Sequence, residues 1–324
     1  MIWGRGPRVQ AVYSPYTDQR AVCTPTPRTV WSSFALVVAV AACLTAERGD
    51  ARGGNQAVDE GWRVVVLGVA QDGGIPQMGC RRPACEEVRS GRRSRARVSS
   101  LGLVNGSGSA AYLFDATPDF PGQVETLTGG LVPDGVFLTH AHIGHYTGLM
   151  YLGREVVNAR GVPVYATWRM AAFLRANGPW SQLVSLDNIA LRTILYDVPV
   201  TLDGGVTVTP FRVPHRDEYS DTVGYRLEGP RRSGLFIPDI DRWETWDRDI
   251  RVLANSVDYA WLDGTFASPS ELNRPIDEIP HPLMARTREL LRGTRAALWF
   301  IHLNNSNAEL DAPDVAREGM TFPL

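Results

Sequence analysis

Three histidines within a short loop carry the clearest chemical signal in the chain: His140, His142 and His145, in the stretch "FLTHAHIGHYTGL". In an extended segment, residues two apart point to the same side, so the imidazoles of His140 and His142 can reach one cation. Gly144 allows a turn before His145, which would then face a neighbouring position. A single histidine is more often a satisfied core residue, but core packing explains three at this spacing poorly. The loop therefore predicts metal binding.

Three further candidate ligands also follow strand-like runs. His215 comes after "VTVTPFRVP", Asp239 after "GLFIP", and His302 after "AALWFI". A composite catalytic site is typically built from the ends of several separate strands, because loops there can converge on one point. Imidazole nitrogens with a carboxylate suit zinc, and also iron or manganese. We therefore expect one or two divalent metal ions, with zinc as the first expectation.

The elements that must position these residues can be located from apolar patterning. The first strand is "WRVVVLGVA", followed by the Gly- and Pro-punctuated loop "QDGGIPQMGC". A helix is predicted over Tyr146–Gly161 from the apolar spacing of "YTGLMYLGREVVNARG". Further helices are predicted in "VETLTGG", "TWRMAAFLRANG" and "HPLMARTRELLRG". Further strands are predicted in "SLGLVNG", "AAYLFDATPDF", "PDGVFLTH" and "VPVYA", and then, as a second series, in "NIALRTIL", "VTVTPFRVP", "DTVGYRLEG", "SGLFIPDID", "VDYAWLDGTF" and "AALWFIHL". This order predicts two sheets between helical layers.

Composition limits the functional classes. The chain has 324 residues, 44% of them apolar and 21% charged, as is typical of a globular protein. Its formal charge of −2 gives no indication of nucleic-acid binding. The basic run Arg89–Arg97 favours a solvated loop over an anion site. We expect a small-molecule substrate and no nucleic acid.

The first sixty residues differ from the rest. The apolar run "WSSFALVVAVAAC" is too short to span a bilayer, but it fits the apolar region of a signal peptide behind several arginines. Val40–Cys43 resembles a bacterial lipobox, in which Cys43 would be lipidated. We expect residues 1–60 to be a leader and polar tether, and 61–324 the folded domain. The protein would then be exported, periplasmic or membrane-anchored through its lipid, or cytoplasmic if the start is mis-called.

Cys80 and Cys85 form a single C-x4-C pair. Two thiolates cannot complete a four-ligand zinc site by themselves. Export favours a disulfide between them, and plain loop cysteines are the alternative.

The order T-H-x-H-x-x-H, later histidine, later aspartate and final histidine resembles the metallo-β-lactamase superfamily over nearly all of residues 62–310. The stretches "VVVLGVAQDGGIPQMGC", "FDATPDF", "LDGTF" and "FIHLNNSN" resemble the branch that contains coenzyme PQQ synthesis protein B. A cyclic phosphodiesterase accessory to carbon–phosphorus lyase is a more distant cousin. This resemblance implies an α+β fold, an αββα four-layer sandwich with metals at one rim.

The resemblance also implies two metal positions that share a bridging carboxylate. By position, site one would be held by His140, His142 and His215, and site two by His145 and His302, with Asp239 bridging. The chain departs from the pattern at Gly144, where the superfamily usually carries an aspartate. Asp72, in the loop after the first strand, could supply the missing carboxylate, or Asp241 could share the role with Asp239. Otherwise the second metal would be held weakly.

Other polar residues are expected to support the site. Asp263 in "LDGTF" and Asp115 in "FDATPDF" are expected to have structural roles or to accept an imidazole N–H. His281 lies near a predicted helix start, where it is either a substrate-facing acid or base, or a residue without chemistry. Three asparagines after His302 either bind substrate oxygens or form a plain loop: Asn304, Asn305 and Asn307.

The most direct functional prediction is metal-dependent hydrolysis of a phosphodiester, ester or amide. A bound divalent metal lowers the pKa of water from 15.7 towards about 7, which makes hydroxide available at neutral pH. The candidate catalytic residues are Asp239, Asp72 and His281. One alternative is a non-haem iron oxidative enzyme, as the PQQ-branch resemblance allows, although export counts against a role in PQQ synthesis. The other alternative is an exported metal- or ligand-binding lipoprotein without turnover.

Overall fold

Strands dominate the chain, with short helices between them. The computed structural model describes residues 61–271, 275 and 278–324. The predicted leader, the lipobox with Cys43 and the tether lie outside these residues. The described strands are β1 (Arg63–Gly68), β2 (Ser100–Val104), β3 (Ala111–Phe114), β4 (Gly135–Phe137), β5 (Val162–Ala166), β6 (Ile189–Thr193), β7 (Val200–Thr201), β8 (Thr207–Arg212), β9 (Val223–Glu228), β10 (Ser233–Ile237), β11 (Tyr259–Asp263), β12 (Ala297–Ile301) and β13 (Thr321–Pro323). The described α-helices are α1 (Pro83–Arg89), α2 (Phe120–Thr128), α3 (Ile143–Tyr146), α4 (Trp168–Ala176), α5 (Trp180–Ser185), α6 (Ile250–Asn255) and α7 (Met284–Leu290).

The strands form two mixed sheets. One has the order β13-β1-β2-β3-β4-β5-β6, and the other has the order β12-β11-β10-β9-β8-β7. β1, β3 and β4 run in one direction in the first sheet. β8, β10, β11 and β12 run in one direction in the second. The loops after these strands carry the candidate ligands, so both sheets supply side chains from the carboxyl ends of their strands.

The apolar core has three layers. Between the sheets lie fully buried aromatic side chains, with Phe114 stacked on Phe137 and Tyr225 packed edge-on against both. On the outer face of the first sheet, Leu174 of α4 and other helical side chains pack against the strands. On the outer face of the second sheet, Ile250 of α6 does the same. The arrangement is an αββα sandwich, which confirms the predicted fold class.

One predicted helix is wrong. The spacing predicted a helix over Tyr146–Gly161, but α3 ends at Tyr146 and a 3-10 helix covers only Thr147–Leu152. Gly153 then leaves the helix in an extended conformation (φ −69°, ψ 169°), and the chain turns towards β5. Glycine has low helix propensity, so the apolar spacing was overridden where the chain had to turn. β6, predicted in the second series of strands, lies at the edge of the first sheet instead.

The loop between β1 and β2 is held by covalent and ionic links. Cys80 and Cys85 are joined by a disulfide, as the sequence favoured. The basic run that follows is only partly solvated, because four of its five arginines pair with carboxylates. The pairs are Arg89–Glu86, Arg93–Glu87, Arg93–Asp311, Arg95–Asp119 and Arg97–Glu318. These ion pairs make the run a structural element. Within the described part of the chain, no helix has the length and apolar character needed to cross a bilayer.

Candidate metal centre

The first group of candidate ligands gathers around Asp239. His140 and His142 come from the loop after β4, His215 follows β8, and Asp239 follows β10. His140 Nε2 lies 2.9 Å from His142 Nδ1 and 3.5 Å from Asp239 Oδ2. His215 Nε2 lies 3.3 Å from Asp239 Oδ1. Each residue offers one ligand atom, and the four atoms lie within 4.8 Å of one another, as a single cation requires.

A second group shares the same carboxylate. His145 Nε2 and His302 Nε2 each lie 3.4 Å from Asp239 Oδ2. Oδ1 of Asp72 is 3.6 Å from His145 Nε2 and 4.0 Å from His302 Nε2. Asp239 therefore stands between two sets of donors, in the position of a bridging carboxylate.

The place of a side chain at position 144 is taken by Asp72. A Cβ built on Gly144 would lie 2.1 Å from Asp72 Oδ1 and 2.8 Å from Asp72 Cα. Real Cβ atoms do not approach other heavy atoms so closely, so only glycine fits beside Asp72. The structure thus places the carboxylate of Asp72 beside position 144, where this chain lacks the aspartate of the superfamily pattern. Asp241, the other candidate substitute, lies elsewhere: its Oδ1 accepts from His215 Nδ1 at 2.8 Å.

The second nitrogen of each of the five imidazoles has a protein partner. A hydrogen bond from that N–H fixes the tautomer and leaves the other nitrogen free to bind a metal. The pairs are His140 Nδ1 with Thr139 Oγ1 at 3.0 Å, His142 Nε2 with Glu218 Oε2 at 3.0 Å, His145 Nδ1 with Asp115 Oδ2 at 2.7 Å, His215 Nδ1 with Asp241 Oδ1 at 2.8 Å, and His302 Nδ1 with Thr265 Oγ1 at 3.0 Å.

Thr139 and Thr265 each link a buried aspartate to a ligand histidine through the side-chain hydroxyl. Thr139 Oγ1 donates to Asp115, and Thr265 Oγ1 donates to Asp263 Oδ1 at 2.7 Å. Each hydroxyl then accepts from a histidine. The sequence analysis singled out neither threonine nor Glu218. Thr139 directly precedes His140 and Thr265 lies two residues after Asp263, so their proximity to other candidates was the available signal.

The atoms that face inward form a set of unsatisfied acceptors. Among the described residues, five buried ligand atoms have no hydrogen-bond partner: Asp72 Oδ1, His145 Nε2, His215 Nε2, Asp239 Oδ1 and His302 Nε2. Leaving even one such atom unpaired costs about 1–3 kcal/mol, and more for a charged group. These five atoms belong to the two groups that meet at Asp239, and a divalent cation in each group would satisfy them. The residues present therefore fit a binuclear divalent site.

The ligands around Asp239 do not all have the same protonation state. Burial, and next the neighbouring His145, hold the pKa of His140 well below its usual value. Burial likewise lowers the pKa of His302. Burial alone would raise the pKa of Asp239, but the imidazoles around it, His215 foremost, hold that pKa well below its usual range. Neutral His140 and His302 beside an ionised carboxylate are in the protonation states that ligation needs. His145 differs: burial opposes its protonation, yet Asp115 raises its pKa well above the usual value, so a metal at its Nε2 would have to displace a proton.

Two residues at the site adopt a left-handed backbone that is unusual outside glycine. His302 has φ 61° and Asp115 has φ 68°. Such conformations cost of order 1–3 kcal/mol each and persist where the surroundings over-determine them. Here the surroundings do so: Asp115 accepts from Thr139 N at 2.8 Å as well as from His145, and Leu303 N, beside His302, donates to Val69 O at 2.8 Å.

His281 lies at the site but not at a helix start. It stands in the loop before α7, with Nδ1 2.8 Å from Asp263 Oδ2 and 3.3 Å from Asp239 Oδ1. Burial opposes its protonation, yet the Asp263 and Asp239 carboxylates raise the pKa of His281 to about 9. Its ring lines a cavity of about 290 Å³. Of its two predicted roles, the substrate-facing one is compatible with this position.

The asparagines after His302 mainly hold loops together. Asn304 Nδ2 donates to Gln71 Oε1 at 2.6 Å, and Asn305 donates to Gln77. Asn307 is buried and donates to the carbonyl oxygen of Gly264 at 2.8 Å. The loop role therefore accounts for Asn307, whereas Asn304 also lines the cavity beside His281.

Comparison with known proteins identifies the family. The chain is 26% identical over 292 residues to coenzyme PQQ synthesis protein B of Ruegeria pomeroyi, an alignment that covers 79% of this chain and 96% of that one. The crystal structure of zinc-bound PqqB from Methylobacterium extorquens superposes with a TM-score of 0.69 at 24% identity, covering 81% of this chain and all of that one. A diphosphatase from the PhnP family superposes with a TM-score of 0.62 at 20% identity, covering 81% and 97%. The family model for the beta-lactamase superfamily domain matches residues 111–303. This match spans more than half of the chain, and the chain therefore belongs to the metallo-β-lactamase superfamily, within which it resembles PQQ synthesis protein B.

Proposed function

We propose that this protein is a metal-dependent hydrolase of phosphodiester or related ester bonds. The observation that carries the proposal is the pair of donor groups that share Asp239, with five buried ligand atoms that have no hydrogen-bond partner among the described residues. Zinc is the first candidate metal, because imidazole and carboxylate donors suit it and because the related PqqB structure is described as zinc-bound.

Bound divalent metals would lower the pKa of water and polarise a substrate oxygen. The chain's own residues define where that chemistry can happen. Asp239 Oδ1 faces His215, and Asp239 Oδ2 faces His140 as well as His145 and His302, so the carboxylate lies where the two groups meet. Asp72 completes the second group with a further negative charge. Its carboxylate is also placed to orient a nucleophile, as the aspartate missing at position 144 does elsewhere in the superfamily.

His281 is the candidate for proton transfer to the leaving group. Its ring lines the cavity beside the metal centre, and Asp263 and Thr265 fix its orientation through Nδ1. A proton held on this imidazole would lie within reach of a substrate that spans the centre and the cavity. Because Asp263 and Thr265 hold the ring at Nδ1, its Nε2 can transfer a proton without a reorientation of the side chain.

Turnover by defined metal forms tests the proposal. We expect protein loaded with zinc or manganese to hydrolyse bis(p-nitrophenyl) phosphate, and Asp239→Asn to lose at least about a hundredfold in kcat/KM, since one change disturbs both groups. Asp217→Asn, an exposed carboxylate change, is the matched control. If no metal form of the wild-type protein hydrolyses phosphodiesters or carboxyl esters, the proposal is wrong.

An oxidative role is the second candidate. Three curated relatives that carry the name PQQ synthesis protein B align with this chain over 93–100% of their length. Two histidines with carboxylates in the second group also suit non-haem iron. Anaerobic loading with ferrous iron followed by oxygen addition separates the candidates. Oxygen consumption coupled to modification of a phenolic substrate, with no esterase activity, would favour this role.

We also propose that the protein is exported and acts on a small molecule. The apolar run before Cys43 supports export, and so does the Cys80–Cys85 disulfide, since disulfides persist in oxidising compartments. Fractionation of cells that express the full chain or Cys43→Ser tests this. We expect membrane association of the wild type that the variant loses, and a soluble cytoplasmic wild type would contradict the proposal.

A further inference from the structure

The cavity of about 290 Å³ beside the metal centre is built from neighbours of the ligands. Gln71 directly precedes Asp72, Arg216 directly follows His215, and Asn304 lies two residues after His302. A group bound in this cavity would therefore lie next to a group bound at the metals. The cavity is large enough for a phosphate or carboxylate with a short linker, but smaller than a site for a drug-sized ligand.

Arg216 is the charged residue in this wall that is free to bind. Its side chain is about half exposed (52%), and its Nη1 lies 3.7 Å from Glu218 Oε1, which is longer than a hydrogen bond. Glu218 is already engaged through Oε2, which accepts from His142 Nε2 at 3.0 Å. A guanidinium with loosely engaged donors is suited to binding carboxylate or phosphate in a bidentate manner.

The amides at the other wall are pre-oriented. Asn304 Nδ2 donates to Gln71 Oε1, and Asn304 Oδ1 accepts from Ser306 N at 3.1 Å. Both contacts fix the amide planes, and they leave Gln71 Nε2 as a donor for a ligand. An anion in the cavity could thus be met by a cation and by a neutral N–H donor.

Charge at the centre also favours an anion. Two divalent cations would outweigh the carboxylates of Asp72 and Asp239 that hold them. Glu278, an exposed residue that also lines the cavity, opposes this preference. Neutralising the Glu278 carboxylate therefore tests the charge of the bound group. Its removal should strengthen the binding of an anion and weaken the binding of a cation.

We infer that this cavity receives a second anionic group of the substrate, a phosphate or a carboxylate, next to the bond held at the metal centre. The inference rests on the proposed function in that it takes the metals to hold the reacting group. Arg216 is then the residue that determines specificity, through a contact made by the substrate's flanking group.

Binding of three matched phosphonates tests this without turnover. The probes are ethylphosphonate, carboxyethylphosphonate and ethylenediphosphonate, titrated calorimetrically into zinc-loaded protein. We expect at least one of the two probes with a second anionic group to bind about tenfold tighter than ethylphosphonate, as one charge-assisted contact would provide. Which of them gains shows whether the group is a carboxylate or a phosphate.

Arg216→Gln should remove most of that gain and leave ethylphosphonate binding nearly unchanged. Arg212→Gln is the matched control, because it removes the same charge from an exposed arginine that does not line this cavity. Glu278→Gln should increase the gain. The inference is overturned if the three probes bind wild type equally, if the gain survives in Arg216→Gln, or if Glu278→Gln reduces it.

The same proteins separate this inference from the proposed function. A lack of esterase turnover with an intact, Arg216-dependent gain would reject hydrolysis and keep the anion subsite. Turnover of simple phosphodiesters without any such gain would reject the subsite and keep the hydrolase.

Discussion

Asp72 and Gly144 occupy one volume between them, so neither residue can be understood alone. Asp72 Oδ1 stands where a Cβ at position 144 would lie, and it faces His145 and His302. Asp72→Ala should therefore lower bound zinc from about two equivalents to about one, because the second group loses its own carboxylate. Elemental analysis after gel filtration measures this, with Asp217→Ala as the control.

The double variant Asp72→Ala/Gly144→Asp extends this test. Removing the Asp72 side chain vacates the space that a residue at 144 needs, so the new aspartate should restore the second equivalent. Gly144→Asp alone should lower stability, since two carboxylates would then compete for one volume. Retention of two equivalents by Asp72→Ala alone would show that Asp72 is not a ligand.

The carboxylates that accept hydrogen bonds from the ligand histidines allow each metal position to be weakened separately. Asp241 accepts from His215 in the first group, and Asp115 accepts from His145 in the second. Asp241→Asn should weaken the first metal about 10–100-fold and Asp115→Asn the second by a similar factor, as loss of such partners usually does. Competition with a chromogenic chelator measures both constants. Equal effects on both metals in each variant would contradict the assignment.

At the scale of elements, α4 shows how a helix start supports the site loop. Thr167 caps α4, because its hydroxyl oxygen accepts from Met170 N at 3.3 Å. The same hydroxyl donates to the buried carboxylate of Asp221. The residue before Asp221, Ser220, accepts through its hydroxyl from Ala141 N inside the histidine loop at 2.9 Å. One hydroxyl thus links a helix, a buried acid and the loop that carries three ligands.

Thr167→Ala should lower the free energy of unfolding by about 2 kcal/mol, about half from the cap and half from the unpaired acid. Thr167→Ser keeps both hydrogen bonds and should lose little. Urea denaturation of the metal-free protein measures the difference. A serine variant as unstable as the alanine variant would show that the methyl group, and not the hydroxyl, matters here.

At the scale of the whole molecule, the metal-free protein should lose stability in alkali through His281. Its pKa of about 9 in the folded state exceeds the unfolded value of 6.5. The folded state therefore binds this proton more tightly. The resulting stabilisation, about 3 kcal/mol, is complete below pH 6.5 and is lost as pH rises through 9.

Urea denaturation at pH 6, 7.5 and 9 in the presence of a chelator measures this effect, and His281→Gln is the control. The other titrating groups are common to both proteins, so the difference between the two curves isolates His281. Parallel curves would show that the pKa of this imidazole is the same in the folded and unfolded states, which contradicts the prediction.

The sequence predicted the sandwich and the ligand positions because both depend on local patterns. Apolar runs marked most strands, and the histidines directly follow them. β13 was missed because it is three residues long and exists only through pairing with β1. Glu218 was missed for a similar reason, since its contact with His142 joins residues 76 apart. The predicted helix after Tyr146 was wrong because packing and glycine overrode an apolar period.

The shared volume at positions 72 and 144 also constrains how such a chain could have arisen. A metallo-β-lactamase ancestor with an aspartate at 144 could not gain Asp72 first without a collision, nor lose the older carboxylate first without weakening the second metal. Each single step passes through a less fit intermediate, unless another change in the β1–β2 loop came earlier to move it aside. Positions 72 and 144 should therefore be inherited as a pair. Sequence searches that demand an aspartate at position 144 will then pass over functional members of the superfamily.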